Sequence, residues 1–327
     1  MKKIKIKIST NFPNFPIERQ LPNCNHVFGN FEFFINRHVD NPDYWIVYHD
    51  LSNAEECNAF KGTLILFTSE PGSVHLYNQK FLNQFDVVVT SQTNLKHKNK
   101  ILSHTSLHWH IGRVLENGQP DKFTRNYDEL ANEKIYKSKL LSVISSNKTI
   151  SKGHKERLEF VQKLKNYFGE QIDLFGHGLN DFSDKWDVIA PYKYHIVLEN
   201  TSQKYYWTEK LSDCYLGEAY PIYYGCTNLN EYFNDKAFSY IDIKKFRKSV
   251  EIIEKVISNN FYENFYNEII ESKKLVLNDY NFFNFAIKLC ASINKSNQSE
   301  RVSLKPQRYF KSTTKKLRIF LKSILSD

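Results

Sequence analysis

The sequence predicts an α/β protein whose strands form parallel sheets. Apolar and β-branched runs alternate along the chain with segments of helical periodicity, which is the pattern of strands joined by crossover helices. Several runs are continuously apolar, as expected for strands buried on both faces of a parallel sheet. At 327 residues the chain is also longer than one hydrophobic core usually supports, which favours two domains.

The strands can be placed from these runs. They are predicted at residues 4–8, 44–48, 63–67, 85–90, 140–145, 171–175, 194–198 and 221–224. A helix is predicted at 154–168, where Leu158, Val161 and Leu164 keep the spacing of one helical face. Residues 116–138 are polar and weakly periodic, and a new strand follows. We therefore predict an N-terminal domain over 1–138, a C-terminal domain over 139–297 and a basic tail over 298–327.

Composition limits the class of protein. Hydrophobic residues make up 41% and charged residues 25% of the chain, which is ordinary for a globular protein. The 5 cysteines are scattered and form no C-x-x-C pair, which indicates a reducing compartment. The opening MKKIKIKI alternates as a strand does and lacks the apolar core of a signal peptide. We therefore expect a cytoplasmic protein.

The net charge of +9 is concentrated at the C-terminus. Eight Lys or Arg residues and one acid lie between Arg301 and Asp327, so the rest of the chain is nearly neutral. Leu317, Phe320 and Leu321 begin an apolar stripe on a predicted amphipathic helix, which suits an anionic membrane surface. Packing of this helix on the protein body is the alternative. A nucleic-acid partner is not expected, because no recognition motif accompanies the charge.

Polar residues follow the predicted strand at 194–198. Glu199 and Asn200 come directly after it, and Thr208 can cap a helix that starts with Glu209 and Lys210. The free N–H groups of that helix start, together with the lysine, favour an anion such as a pyrophosphate. For Glu209 a purely structural interaction with the helix dipole is the alternative.

Two further groups follow strands. After the strand at 140–145, His154, Lys155 and Arg157 lie in the first turns of a helix, where cations are electrostatically misplaced unless an anion binds there. After the strand at 63–67, Glu70 lies on a turn with Pro71, a position that suits a general base. The alternatives are a solvated basic face for the first group and a solvated loop acid for the second.

The run YKYHIVLEN…YYWTEKLSDCYLGEAYPIYYG resembles the signature of the family 10 glycosyltransferases, the α1,3/α1,4-fucosyltransferases, in its bacterial form. The segments SSN…R and FGHGL are similar to the family more weakly, as are TLILFTSEPGSV and FDVVVTSQ near the N-terminus. The resemblance implies a GT-B fold, in which two Rossmann-like domains face each other across a cleft. GDP-fucose would be held by the second domain and the glycan acceptor by the first.

The resemblance also implies roles for individual residues. The donor-binding positions are Arg157, Asn200, Tyr206, Thr208, Glu209 and Lys210. Arg157 and Lys210 match the family's diphosphate-binding residues, and Glu70 matches the proposed general base of an inverting, concerted transfer. Positive charge at the diphosphate would replace a metal ion, and no D-x-D triplet occurs in the chain, so no cofactor is expected and divalent metal should be dispensable.

Two features depart from the family pattern. Trp207 replaces a smaller residue before T-E-K, and SLHWHIGR has no clear counterpart. Within it, His108, Trp109 and His110 could line the acceptor cleft, although Trp109 could equally pack in the core.

The leading interpretation is a fucosyltransferase of lipopolysaccharide, capsule or protein glycosylation, held by its tail at the inner face of the cytoplasmic membrane. There are two alternatives. One is an enzyme of the same fold and mechanism that uses another nucleotide-sugar donor, and the other is a non-catalytic nucleotide- or glycan-binding protein.

Overall fold

The computed structural model describes residues 3–12, 16–106, 108–114, 122–145, 152–293 and 300–310. The chain divides into two compact units. Unit 1 comprises Met1–Pro13, His26–Ser103 and Cys290–Asp327, and unit 2 comprises Asn14–Asn25 and His104–Leu289.

Strands and helices are numbered along the described residues. The strands are β1 (Ile4–Thr10), β2 (Val27–Phe28), β3 (Phe31–Ile35), β4 (Tyr44–Tyr48), β5 (Glu55–Phe60), β6 (Thr63–Phe67), β7 (Val87–Thr90), β8 (Lys100–Leu102), β9 (Arg113–Val114), β10 (Lys122–Phe123), β11 (Lys139–Ile144), β12 (Ile172–Phe175), β13 (Tyr192–Leu198), β14 (Tyr220–Tyr224), β15 (Ser239–Tyr240) and β16 (Glu300–Leu304). The α-helices are α1 (Gln79–Leu82), α2 (Tyr127–Asn132), α3 (Lys152–Phe168), α4 (Lys185–Ile189), α5 (Glu209–Leu216), α6 (Phe246–Ser258), α7 (Phe261–Asn264), α8 (Tyr266–Asn278) and α9 (Phe282–Ser292).

Unit 1 contains a seven-stranded sheet in the order β2-β3-β1-β4-β6-β7-β8. Its strand pairs are parallel except for β2 with β3. Every residue of β4, β6 and β7 is buried, which explains their continuously apolar sequences. Lys7 on β1 is buried as well, because its ammonium pairs with Glu55 at 2.7 Å and lies over the ring of Trp45.

Unit 2 contains a five-stranded sheet in the order β12-β11-β13-β14-β15, with every pair parallel. Its core includes Leu141 and Val143 of β11, Ile196 of β13, and Val161 and Leu164 of α3. The predicted α/β class with parallel sheets is therefore confirmed.

Each strand predicted from an apolar run is present, with ends that differ from the prediction by at most two residues. The predicted helix at 154–168 begins slightly earlier, at Lys152. Two of the strands that were not predicted are β5, whose EECNAF lacks a strand's apolar pattern, and the three-residue β8. β5 forms a strand because it pairs antiparallel with β16, far away in sequence.

The division between the units falls at Ser103 and His104, whereas the sequence had suggested Ser138. The residues that follow His104 belong to unit 2 because buried charged groups of that unit hold their backbone. Arg19 donates to the carbonyl groups of Trp109 and Ile111. Asp184 accepts hydrogen bonds from the Gly112 N–H and the Thr124 hydroxyl. A boundary set by such distant partners leaves no mark in local sequence.

The predicted tail begins too early. Residues 300–304 form β16, in which the Arg301 guanidinium pairs with Glu56 at 2.7 Å and Leu304 is buried. Arg308 also contacts unit 1, since it donates to the backbone of Ser52. The predicted amphipathic helix over residues 311–327 lies outside the described residues. Among those described, no helix has the length and apolar character needed to cross a membrane.

Candidate active site

A cavity opens at the carboxyl ends of the unit 2 strands. Taken in chain order, these strands have the spatial order 2-1-3-4-5, so the order reverses between β11 and β13. Ligands of open α/β sheets bind at such a reversal, outside the carboxyl ends. The cavity measures about 370 Å³ and is lined by His110, Ile144, Ser145, Arg157, Lys185, Ile189, His195, Ile196, Val197, Leu198, Asn200, Glu209 and Lys210.

Glu199 joins the end of β13 to the start of α5. Its fully buried carboxylate accepts hydrogen bonds from the Thr208 N–H and hydroxyl, each at 2.8 Å. Thr208 in turn caps α5 by accepting from the Lys210 N–H. Gly225 allows this arrangement, because a Cβ there would lie 2.4 Å from Cγ of Glu199. The LEN, T-E-K and PIYYG segments of the sequence therefore meet at one carboxylate.

Glu209 and Lys210 begin α5 and both line the cavity. The Lys210 ammonium lies 2.9 Å from Glu209 and 3.6 Å from Glu199. Burial opposes ionisation of Glu209, but Lys210, together with Lys185, lowers the pKa of this carboxyl well below its ordinary value. Burial likewise opposes the charge of Lys210, and the two carboxylates raise its pKa above the ordinary value. Both groups are therefore charged at neutral pH.

Arg157 reaches the cavity from α3. Its Nη1 donates to the Leu198 carbonyl oxygen at 3.1 Å, while its buried Nε has no partner among the described residues. Burial lowers the pKa of the guanidinium, and Glu199 opposes that shift. Because arginine keeps its charge even so, an unsatisfied N–H of this kind suits an anionic ligand. Lys155, on the same helix, is exposed and does not line the cavity.

The remaining predicted donor-binding residues have different positions. Asn200 lines the cavity, whereas Tyr206 and Thr208 are buried behind it. Trp207 is 3% exposed and stacks on His104, with the ring centroids 4.6 Å apart, within a cluster that includes Tyr232 and Tyr280. The departure at Trp207 from the family pattern is thus a feature of packing.

The sequence analysis did not identify two cavity residues, Lys185 and His195, or Asp213, the partner of Lys185. Lys185 begins α4, and its ammonium lies 2.6 Å from the fully buried Asp213 of α5. His195, in the middle of β13, shares a hydrogen bond with the Ser142 hydroxyl at 2.8 Å. Burial lowers the pKa of His195 to about 3, so its ring is neutral. Asp213 lies four residues after Glu209, so the two carboxylates are on the same face of α5. That spacing is the feature of the sequence from which Asp213 could have been identified.

The predicted acceptor-binding residues His108, Trp109 and His110 all lie in unit 2. Trp109 is 1% exposed and belongs to the hydrophobic core, so its ring is not available for stacking on a sugar. His108 is buried and stacks on His110, with the ring centroids 5.1 Å apart. Of the three residues, His110 lines the cavity beside Glu209 and Lys185.

Glu70 lies in unit 1, directly after β6. Its backbone carbonyl accepts a hydrogen bond from the Gln92 side chain at 2.8 Å. The preceding Ser69 hydroxyl lies 2.5 Å from Nδ1 of His49, a residue with a left-handed backbone (φ 68°) that follows β4. Burial, with a contribution from His75, lowers the pKa of His49 to about 4. The turn that carries Glu70 is thus held by neutral hydrogen-bonding groups.

The fold and the cavity define the class of protein. Two units with parallel sheets, and a charged cavity at the strand-order reversal of the second, are features of a GT-B glycosyltransferase. A sequence model of glycosyltransferase family 10 (fucosyltransferase), C-terminal part, matches residues 135–308, more than half of the chain. The chain belongs to this family.

Individual relatives agree with the family. An α-(1,3)-fucosyltransferase, FucT, of Helicobacter pylori is 34% identical over 71 residues, which are 21% of this chain and 15% of the relative. The match thus spans well under two thirds of the relative's length. A crystal structure of an α1,3-fucosyltransferase with GDP is similar with a TM-score of 0.50 and 17% identity, over 86% of this chain and 93% of that one. The predicted GT-B fold is confirmed.

Proposed function

We propose that this glycosyltransferase moves L-fucose from GDP-fucose to a hydroxyl group of a glycan acceptor, with inversion at the anomeric carbon. The observation that carries the proposal is the convergence of Arg157, Lys210 and the start of α5 on one cavity in unit 2. Two cations and a helix N-terminus provide the positive field that a diphosphate requires. The α1,3-fucosyltransferase of similar fold was crystallised with GDP, which supports a GDP-linked donor.

Within this proposal the cavity residues act on the leaving group. As the bond between the anomeric carbon and the β-phosphate oxygen breaks, negative charge builds up on GDP. The Arg157 guanidinium and the Lys210 ammonium stabilise that charge inside a site whose carboxylates already hold the lysine in place. Glu209 is ionised and can accept hydrogen bonds only, so it orients hydroxyl groups of the donor rather than its phosphates.

Glu70 is the proposed general base. Its carboxylate would take the proton from the acceptor hydroxyl while that oxygen attacks the anomeric carbon, and the β-linked donor would give an α-L-fucoside. The assignment rests on the family resemblance of TLILFTSEPGSV and on the fixed turn that carries Glu70.

The reaction is proposed to need no divalent metal, because side-chain cations already face the diphosphate. The biological setting is proposed from the sequence: synthesis of a surface polysaccharide, with residues 311–327 holding the enzyme on the anionic inner face of the cytoplasmic membrane.

The donor nucleotide can be tested by thermal unfolding with GDP, UDP and CMP, each in EDTA. A ligand at 100 times its dissociation constant stabilises the folded state by about 2.7 kcal/mol. We expect a clear increase in the unfolding temperature with GDP and little change with the pyrimidine nucleotides. A shift with UDP but not with GDP would favour the same fold and mechanism with a different donor.

A further inference from the structure

His110 has a backbone that is fixed from two sides. Its N–H donates to Oδ1 of Asp213 at 2.9 Å, and the following N–H, of Ile111, donates to the same oxygen at 3.0 Å. From the other side, Arg19 donates to the carbonyl oxygens of Trp109 and Ile111. Both groups of the peptide that precedes His110 are therefore bound to fully buried charged side chains.

The two side chains that anchor this loop are both buried charges. Arg19 is buried within unit 2 at a cost, since burial lowers the pKa of its guanidinium to about 10 although Asp213 and Asp184 oppose the shift. Asp213 holds the Lys185 ammonium at 2.6 Å with its second oxygen. Asp213 thus holds both the His110 backbone and a neighbouring cation on the cavity wall, and Arg19 holds the same loop from the other side.

The surroundings of His110 differ from those of Arg157. Burial lowers the pKa of the imidazole well below its ordinary value, the charged groups that act on it are Lys185, Glu209 and Arg113, and His108 stacks on the ring. Burial has the largest effect on Arg157, followed by Glu199, Tyr206 and Tyr224, and Glu209 acts on it as well. The cavity therefore offers a guanidinium for phosphate and an imidazole near a carboxylate, that of Glu209, a combination that hydrogen-bonds hydroxyl groups.

We propose that His110 is a donor-binding residue that recognises hydroxyl groups of the transferred sugar, together with Glu209. The inference rests on the proposed function, because it assumes that a nucleotide-linked sugar occupies the cavity. It assigns to the SLHWHIGR segment a role at the donor, where the sequence had suggested the acceptor. Arg19 and Asp213 are positioning residues, which act through the backbone of His110.

The experiment compares GDP with GDP-fucose by isothermal titration calorimetry, without acceptor. In His110→Leu we expect the dissociation constant of GDP-fucose to rise about tenfold, the effect of one lost hydrogen bond, while that of GDP stays within about twofold. His110→Gln, which can still donate and accept, should restore part of the GDP-fucose affinity. The matched control is His38→Leu, because His38 lies in unit 1 with 75% of its side chain exposed.

Unchanged GDP-fucose affinity in His110→Leu would overturn the inference. Equal weakening of GDP and GDP-fucose would overturn it too, because the imidazole would then act on the nucleotide. If the unsubstituted protein bound neither ligand, the proposed function itself would fail. Normal GDP binding by the variant also reports that unit 2 is folded.

Discussion

The Glu199 carboxylate accepts hydrogen bonds from both the N–H and the hydroxyl of Thr208, nine residues further along the chain. This pair ties the end of β13 to the start of α5 and brings Asn200, Glu209 and Lys210 to one cavity. The spacing of the sequence motif thus has a physical counterpart: the nine-residue separation brings the helix cap to the buried carboxylate.

Substitution of Thr208 tests this connection. Thr208→Val keeps the shape but removes the cap of α5 and one donor to the buried Glu199, so we expect a loss of about 1–3 kcal/mol of unfolding free energy. Thr208→Ser keeps the hydroxyl and should lose much less. Urea unfolding measures both variants, and equal stabilities for Val and Ser would contradict the role given to the hydroxyl.

Arg157 should contribute strongly to nucleotide binding. Arg157→Ala removes a charge-assisted contact to the diphosphate, so we expect the dissociation constant of GDP to rise roughly ten- to a hundredfold. Lys155→Ala is the control, since Lys155 is an exposed cation on the same helix. Calorimetry that found the two variants equally impaired would point to a general electrostatic effect.

His104 should make the protein sensitive to mild acid. Burial lowers the pKa of His104 to about 3 from an ordinary 6.5, so between these values the unfolded chain binds a proton that the folded state does not. Stability contributed by the neutral ring is present above about pH 6.5 and declines as the pH falls. Relative to His104→Phe, the unsubstituted protein should lose about 2 kcal/mol more between pH 7 and pH 5. Parallel stability curves in urea titrations at these pH values would refute this assignment.

Glu70→Gln should abolish turnover while leaving the affinity for GDP within about twofold, because the substitution removes a base of unit 1 and leaves every residue of unit 2 unchanged. Glu56→Gln, at a half-exposed carboxylate that pairs with Arg301, is the matched control in unit 1 and should stay active. Retained turnover in the Glu70 variant would exclude Glu70 as the base.

Removal of residues 311–327 tests the membrane proposal. The truncated chain keeps β16 with its partner β5, so it should remain folded. In co-sedimentation with vesicles that contain anionic lipid, we expect the full chain to bind and the truncated chain to remain in solution. Binding that survives the truncation would show that another surface is responsible.

The sequence predicted the parts of the molecule whose signal is local. Continuous apolar runs predicted β4, β6 and β7, and the T-E-K helix start was predicted from Thr208 and its neighbours. The parts that it missed depend on partners far along the chain. β5 forms by pairing with β16, and Lys185 is held in the cavity wall by its ion pair with Asp213.

Partners far along the chain also explain why the SLHWHIGR segment was assigned to the acceptor cleft. An aromatic side chain next to two histidines is compatible with a sugar site, yet Trp109 is a core residue and its backbone is bound by Arg19, ninety residues earlier. No local pattern reports that contact. Distant partners also explain why two cations were assigned to the basic tail. Arg301 pairs with Glu56, and Arg308 donates to the backbone of Ser52.

The most direct test is product analysis with GDP-L-fucose and a panel of glycan acceptors in the presence of EDTA. We predict transfer without added metal and an α-L-fucoside in the NMR spectrum of the product, with transfer lost in Arg157→Ala. A β-linked product, or transfer from a UDP-sugar in place of GDP-fucose, would contradict the proposed function.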